Sequence, residues 1–215
     1  MREFLKGMIK HTPLWVPLRR YVHKRRYYQE LLKWEKQGHP CPPPHVVKQR
    51  AIRKYAQCHN LKILIETGTY QGDMVEAMKG TFDRVISIEL ARSYYEDACE
   101  RFKNEKNVEL FCGDSAQLLG PIVSKLDQPA LFWLDGHYSG GKTAKGENDT
   151  PILVELKHIL DAPDFGHVII IDDARAFGVD PAYPALDDLK AFVLSLRENV
   201  HISVEEDSIR IVPVS

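Results

Sequence analysis

The stretch that decides the fold is HVIIIDDAR, residues 167–175, in which four β-branched residues run directly into two aspartates and an arginine. A continuous apolar run of this kind predicts a strand of a parallel sheet that is buried on both faces. Two adjacent carboxylates at the end of such a strand repel each other unless a positive charge neutralises them. The stretch therefore predicts a buried strand with a charged site at its end.

The same pattern repeats on the N-terminal side of this stretch. The predicted strands are 62–67, 84–89, 108–112, 130–135 and 167–172, and helix-like segments lie at about 72–80, 91–104, 115–126, 150–161 and 184–198. This alternation predicts an α/β fold with a mostly parallel, Rossmann-like sheet and helices on both faces. HISVEED (201–207) and SIRIVPV (208–214) leave no room for a helix between them, so they predict a C-terminal antiparallel hairpin.

The first 60 residues differ from the rest in charge. They carry 14 Lys and Arg against 3 Asp and Glu, a net of +11, whereas residues 61–215 carry 15 against 27, a net of -12. HPCPPPH (39–45) cannot form a helix interior and separates two predicted helices, 24–37 and 46–58. We therefore predict a basic helical extension over residues 1–60 and a main domain over residues 61–215.

Three roles are open for the basic extension. The first is a cover that packs over the ligand cleft and helps to form the acceptor pocket. The second is contact with anionic lipids, which suits the apolar Leu31, Leu32 and Trp34 beside Lys24, Arg25 and Arg26. The third, and the least expected, is binding to nucleic acid. The sequence does not predict an oligomeric state.

Cysteine spacing and hydropathy predict a location. Cys41, Cys58, Cys99 and Cys112 form no CxxC pair, so neither a zinc site nor a redox motif is indicated, and free thiols in a reducing compartment are expected. No apolar run approaches the ~20 residues of a membrane span, and the first residues do not have the pattern of a secretory signal. We predict a cytoplasmic protein, with peripheral contact at the inner membrane surface as an alternative.

The first β/α turn has the features of a ligand site. ILIETGTYQGDMVEAM (63–78) is an apolar strand followed by Glu66, Thr67, Gly68 and Gly72 and then a helix. Glycines let the backbone approach a ligand, and the helix start offers free N–H groups, although any turn also needs glycine. Glu66 disfavours a dinucleotide pyrophosphate and favours a cationic group, such as the ammonium of an amino acid.

Two later strands also end in acidic residues. Glu89 follows the second strand about 20 residues past the turn, where an acid can bind both hydroxyls of a ribose. Asp114 follows the third strand and can accept from an exocyclic amine or simply cap the next helix, a role also open to Ser115. Ligands bind at the carboxyl ends of parallel strands, so these acids predict one cleft.

Together these motifs resemble the class I S-adenosylmethionine-dependent methyltransferases over residues 61–215, including the terminal hairpin. The resemblance implies that Glu66 and Gly68 bind the methionine part of the cofactor, Glu89 the ribose and Asp114 the adenine. Thr67, Gly72, Ser115 and Asp135 complete the expected cofactor-binding set.

The aspartates of the opening stretch predict a metal site. The fourth strand ends in LFWLDGHYS, so Asp135 should meet Asp172 and Asp173 at one edge of the cleft. Carboxylates grouped in this way suit Mg²⁺, with Mn²⁺ or Ca²⁺ as alternatives. The competing interpretation is that Asp172 and Asp173 cap a loop and pair with Arg175 or lysines.

The arrangement looks most like metal-dependent methyltransferases of the macrocin O-methyltransferase type, which YPALDDLKAFV (183–193) also echoes. That resemblance assigns Asp135 to the metal and to catalysis. His137 stands where the family usually has a second acid, and we predict that it is the general base. His137 could instead be a metal ligand or an ordinary polar residue of the loop.

A phosphate-loop motif competes with this interpretation. GHYSGGKT (136–143) matches G-x-x-x-x-G-K-[ST], which would indicate an NTPase or kinase. The following residues, AKGENDTP, form a loop and not the helix that such a motif must open. The glycine-rich segment 138–150 could instead be a lid, with Lys142 and Lys145 either facing an anionic substrate or solvated.

The sequence thus predicts an S-adenosylmethionine-dependent, Mg²⁺-assisted O-methyltransferase that acts on a hydroxyl of a small or sugar-like acceptor. A phosphate-loop enzyme and a non-catalytic nucleotide- or RNA-binding module with the same fold are the alternatives.

Overall fold

The computed structural model describes residues 15–136 and 151–214, with side chains from Tyr27 onward and that of Arg25. The chain divides into two compact units, Met1–Lys48 and Gln49–Ser215. The helices are α1 (Trp15–Lys36), α2 (His45–Cys58), α3 (Asp73–Met78), α4 (Arg92–Phe102), α5 (Ser115–Val123), α6 (Ile152–Asp161) and α7 (Leu186–Leu196). The strands are β1 (Ile63–Thr67), β2 (Arg84–Glu89), β3 (Val108–Cys112), β4 (Ala130–Leu134), β5 (Val168–Ile171), β6 (Val200–Glu205) and β7 (Ser208–Pro213).

The N-terminal unit has a small apolar cluster of its own. Trp34 near the end of α1 packs with Val46 and Val47, and its indole N–H donates to the carbonyl of Pro40 at 2.9 Å. This contact ties the proline segment back onto α1. Helix α1 begins at Trp15, earlier than the helix predicted over residues 24–37.

The larger unit contains one seven-stranded sheet in the order β3-β2-β1-β4-β5-β7-β6. The first five strands are parallel, and β7 is antiparallel to both β5 and β6, which confirms the predicted sheet and hairpin. The strand order reverses between β1 and β4, and open α/β sheets bind ligands at such a switch point. Leu134 pairs with Ile171, so the residues that follow β4 and β5 lie next to each other.

Apolar side chains cover the two faces of the sheet with separate clusters. Phe132 points to one face, where it belongs to the same cluster as Leu156 of α6 and Leu189 of α7. Trp133 points to the other face and shares a cluster with Ile52 of α2 and Met78 of α3. Because successive strand residues point to opposite faces, continuous apolar strands are buried on both sides, and helices cover both faces as predicted. Within the described parts of the chain, no helix combines the length and apolar character needed to cross a bilayer.

Candidate active site

The turn after β1 is compressed between the two neighbouring strands. Gly68 and Thr69 donate their backbone N–H groups to the carbonyl of Ile88, at 2.9 and 3.3 Å. Gly68 has φ +86°, and a Cβ added there would lie 2.5 Å from the backbone oxygen of Asp135. Gly72, with φ +76°, likewise has no room for a side chain, because Phe102 would lie 2.7 Å away. Both predicted glycines therefore combine a positive φ with a close neighbour, which is backbone at Gly68 and a side chain at Gly72.

Glu66 is fully enclosed, with 1% of its surface exposed. The Ser87 hydroxyl donates to its carboxylate at 2.5 Å, and Thr69 lies 2.6 Å from the Ser87 oxygen, so the three side chains form a hydrogen-bonded chain. Burial raises the pKa of Glu66 to about 8, and the charge of Glu89 adds to the increase. Near neutral pH this side chain is mostly a neutral acid, and a bound cation beside it would favour its ionisation.

Glu89 lies at the end of β2 with both carboxylate oxygens engaged by backbone. The N–H of Tyr70 donates to one oxygen at 2.7 Å, and the N–H of Ala91 donates to the other at 2.8 Å. These bonds link the turn after β1 to the turn after β2 and hold the carboxylate in one orientation. Each oxygen keeps a second lone pair, which could accept from a ligand hydroxyl.

Asp114, and not Ser115, caps helix α5. Asp114 has extended backbone angles, and its carboxylate accepts from the N–H of Ala116 at 2.9 Å. Ser115 is the first residue of the helix and is buried, which corrects the expectation that its hydroxyl could be the cap. The cap uses one oxygen of Asp114, so the second could still accept from a ligand amine.

The structure brings Asp135, Asp172 and Asp173 together. One carboxylate oxygen from each lies within 4.8 Å of the others. The strand hydrogen bonding continues one residue beyond β4 and β5, because Asp172 donates its N–H to the Leu134 carbonyl at 3.0 Å and Asp135 donates to Thr67 at 3.1 Å. The close approach of the three acids therefore follows from the register of neighbouring strands.

Arg175 lies beside this acidic cluster. Its guanidinium is 2.9 Å from the Asp173 carboxylate, which is the ion pair given above as the competing interpretation. The pair engages one Asp173 oxygen, Oδ1, so it does not exclude a cation at the other. The cluster also affects Tyr183. Burial is the main reason that the pKa of its phenol is raised, and the negative charge of Asp173 raises it further.

His137 and the segment 138–150, including Lys142 and Lys145, lie outside the described residues. The predicted general base, the lid and most of the phosphate-loop motif therefore remain predictions.

The sequence argument missed Glu155 on α6. The carboxyl group is completely buried near Thr67 and Ser115, and burial raises its pKa to about 7. A sequence signal was present, since Glu155 falls on the same helical face as the apolar Ile152, Leu156 and Ile159. A glutamate at a core position of an amphipathic helix needs a specific explanation.

The sheet topology and the helices on both faces match solved methyltransferases. The O-methyltransferase TomG from Streptomyces achromogenes, in complex with S-adenosylmethionine, superposes with a TM-score of 0.58 at 18% identity, over 88% of this chain and 89% of TomG. The O-methyltransferase from Bacillus cereus, in complex with S-adenosylhomocysteine, superposes with a TM-score of 0.58 at 15% identity, over 88% of this chain and 90% of its own.

An enzyme with a different acceptor atom has a similar fold. The N-methyltransferase NodS from Bradyrhizobium japonicum superposes with a TM-score of 0.52 at 14% identity, over 80% of this chain and 98% of NodS. No family model matches the sequence, and no curated protein matches it. At these identities the comparisons establish the fold, which is the Rossmann-like fold of class I methyltransferases.

Proposed function

We propose that this chain is an S-adenosylmethionine-dependent O-methyltransferase that acts on a hydroxyl of a small or sugar-like acceptor. The observation that carries the proposal is the placement of acids at the carboxyl ends of successive parallel strands, with the aspartate cluster beside them. Structures with this fold have been solved with S-adenosylmethionine or S-adenosylhomocysteine bound. A binding cleft at the same switch point of the sheet is consistent with both observations.

The cofactor would lie across the ends of β1, β2 and β3. Glu89 would accept from the ribose hydroxyls, for which its two backbone hydrogen bonds hold it in place. Gly68 would let the methionine part approach the turn closely, and Thr67, Gly72 and Ser115 would line the same turns. Glu66 would compensate the charge of the ammonium group. Burial raises the pKa of Glu66, and the positive charge of the ammonium group would lower it again and favour the carboxylate form.

The aspartate cluster fits a hard divalent cation. Two oxygens bound to one Ca²⁺ at about 2.3–2.6 Å lie at most about 5 Å apart, and the limit for Mg²⁺ is about 4 Å. The oxygens of Asp135, Asp172 and Asp173 lie within 4.8 Å of one another, which is inside the limit for Ca²⁺ and above that for Mg²⁺, so binding of Mg²⁺ would require the carboxylates to move closer together. We propose that these residues hold Mg²⁺ or a similar ion. Arg175 would keep its ion pair with Oδ1 of Asp173.

The bound cation would lower the pKa of an acceptor hydroxyl and orient it. S-adenosylmethionine would supply the methyl group: the acceptor oxygen would form a bond to the methyl carbon as the bond from that carbon to sulfur breaks, which would leave a neutral thioether. The hydroxyl proton must go to a base, and we propose His137, two residues beyond Asp135 in the sequence. Asp135 would belong to both halves of the site, because its backbone contacts the cofactor turn and its carboxylate lies in the cluster.

Calorimetric titration of S-adenosylhomocysteine and of ATP separates this proposal from a phosphate-loop enzyme. We expect binding of S-adenosylhomocysteine and none of ATP, and the reverse result would favour the NTPase. A screen of sugar nucleotides and small hydroxyl compounds for uptake of labelled methyl then identifies the acceptor. A protein that binds the cofactor but methylates no compound in the presence of Mg²⁺ would instead point to a binding module.

For the basic N-terminal segment we propose a cover over the acceptor pocket. Contact with an anionic membrane is the second candidate. It is supported by Tyr28 and Leu32, one helical turn apart and each 52% exposed among basic residues. Co-sedimentation with phosphatidylserine vesicles tests the second candidate, since a cover has no reason to bind them.

A further inference from the structure

Arg175 places a positive charge directly against the aspartate cluster. Its Nη1 atom lies 2.9 Å from Oδ1 of Asp173, and the same atom forms an ion pair with the Asp207 carboxylate. The Asp207 side chain is almost completely buried, with 3% exposed, whereas 44% of the Arg175 side chain is exposed. The guanidinium therefore bridges a buried acid and one of the three acids proposed to hold the cation.

Main-chain hydrogen bonds also hold the loop that carries Asp173. The backbone N–H of Arg175 donates to the Asp207 carboxylate at 3.0 Å, and the N–H of Ala174 donates to the Asp207 carbonyl at 2.9 Å. Asp172 is held separately, because its own N–H continues the hydrogen bonding between β4 and β5. These bonds do not use the Arg175 side chain, so a change of that side chain alters the charge and leaves the loop attached.

The cluster needs a positive charge before any metal binds. Oxygens of Asp135, Asp172 and Asp173 lie within 4.8 Å of one another, and grouped carboxylates repel each other unless a positive charge neutralises them. Arg175 supplies one such charge. A guanidinium stays protonated at any physiological pH, so it acts on the cluster with or without a bound metal. The same charge repels an incoming divalent cation.

We propose that Arg175 is an internal counter-ion of the aspartate cluster, which lowers the affinity of the cluster for a divalent cation. This inference rests on the proposed function, because it concerns the regulation of the same metal site. Arg175 keeps its ion pair with Oδ1 of Asp173 while the cation binds other oxygens, so the two positive charges are neighbours. The site then fills at a higher cation concentration than the three carboxylates would need without Arg175, and its occupancy follows the supply of the cation.

Calorimetric titration of Mn²⁺ into Arg175→Gln tests the proposal by the sign of the effect. The variant loses the charge and keeps the main-chain hydrogen bonds of the loop. We expect it to bind Mn²⁺ about tenfold more tightly than the wild type, the effect of one unit charge several ångströms from a divalent ion. Loss of a residue that only supports the structure would have the opposite sign. Equal or weaker binding by Arg175→Gln overturns the proposal.

Two further variants separate the charge of Arg175 from its shape. Arg175→Lys keeps the positive charge, so its affinity for Mn²⁺ should stay within about threefold of the wild type. Arg92→Gln is the matched control, because it removes the same charge from an exposed pair with Glu96 on α4, and it should leave the affinity unchanged. The proposal is wrong if Arg175→Lys binds Mn²⁺ as tightly as Arg175→Gln, or if Arg92→Gln gains as much affinity.

Urea unfolding with and without the cation gives a second measurement. In EDTA, Arg175→Gln should be less stable than the wild type, because the grouped acids lose their counter-ion. In excess Mn²⁺ the variant should gain more stability than the wild type gains, since a ligand that binds the folded state stabilises it more as its affinity rises. Equal gains for the two proteins would contradict the assignment.

The wild-type titration distinguishes failure of this inference from failure of the proposed metal site. A wild-type protein that binds no Mn²⁺ at millimolar concentration would reject the metal site, and this inference with it. A wild-type protein that binds Mn²⁺ with the affinity of Arg175→Gln would reject the inference alone and leave the metal site in place.

Discussion

The Asp207 carboxylate, in the turn between β6 and β7, accepts hydrogen bonds from Arg175 in the loop after β5. The backbone N–H of Arg175 donates to it at 3.0 Å, and the guanidinium forms an ion pair with it. The Asp207 carbonyl also accepts from the N–H of Ala174 at 2.9 Å. The same guanidinium reaches Asp173, so the tip of the C-terminal hairpin holds the turn that carries a proposed metal ligand.

Asp207→Asn should weaken binding of Mg²⁺ or Mn²⁺ by about tenfold, as is typical when a residue that positions a metal ligand is changed. The guanidinium of Arg175 pairs with both Asp207 and Asp173. The substitution removes the charge of Asp207, so Arg175 would pair more strongly with Asp173 and compete there with the metal. Calorimetric titration of the metal measures the effect. Asp187→Asn, at a side chain that is 94% exposed, is the control and should leave metal affinity unchanged. An unaltered affinity in Asp207→Asn would show that the hairpin tip does not position Asp173.

Asp172→Asn should abolish measurable metal binding and methyl transfer while it leaves S-adenosylhomocysteine affinity within about threefold. The change removes one of three negative charges that lie within 4.8 Å of one another. Calorimetry with Mn²⁺ and with S-adenosylhomocysteine, together with a methyl-uptake assay, separates the two kinds of binding. Chelation of the wild type with EDTA should reproduce the loss of turnover, and added Mg²⁺ should restore it. Full activity in the variant would remove the metal from the proposal.

Gly68→Ala should destabilise the protein by about 1–3 kcal/mol and weaken cofactor binding. The added Cβ would lie 2.5 Å from the Asp135 carbonyl oxygen, and the backbone has a φ of +86° that alanine rarely adopts. Urea unfolding and S-adenosylhomocysteine titration measure the two effects. Gly80→Ala is the matched control, because a Cβ there meets nothing within 4 Å. Similar unfolding curves for both variants would show that the turn can relax.

The stability of the wild type should decrease as the pH rises from 4.5 to about 8, and Glu66→Gln should not show this decrease. In that range the unfolded chain has lost the Glu66 proton while the folded protein keeps it. The folded state therefore binds more protons, so its stability falls as the pH rises, by about 1.4 kcal/mol for each pH unit within this range. Urea unfolding at several pH values measures the difference between wild type and variant.

The control for this prediction is Glu100→Gln, since the Glu100 side chain is 74% exposed. Its stability should follow the wild-type profile. If Glu66→Gln and the wild type lose stability in parallel as the pH rises, Glu66 is already ionised in the folded protein.

The sequence predicted which acidic residues follow directly after neighbouring parallel strands. Asp135 and Asp172 follow uninterrupted apolar runs, and such runs form adjacent strands whose carboxyl ends share one edge. Their proximity therefore followed from strand order. The sequence also predicted Glu89 at the end of the second strand, and the structure holds its carboxylate there with two backbone hydrogen bonds.

Local pattern alone determined which segments of this chain are strands and helices, and hence the fold and the edge of the sheet where acids gather. Only the tertiary structure decided which distant side chains complete that edge. Glu155 comes from a helix and Asp207 from a hairpin turn, and the hydrophobic periodicity of a segment says nothing about the neighbours that packing brings to one polar residue. Burial in the tertiary structure also decides the pKa values of Glu66 and Glu155, because both are raised by the surrounding protein and not by the residue type.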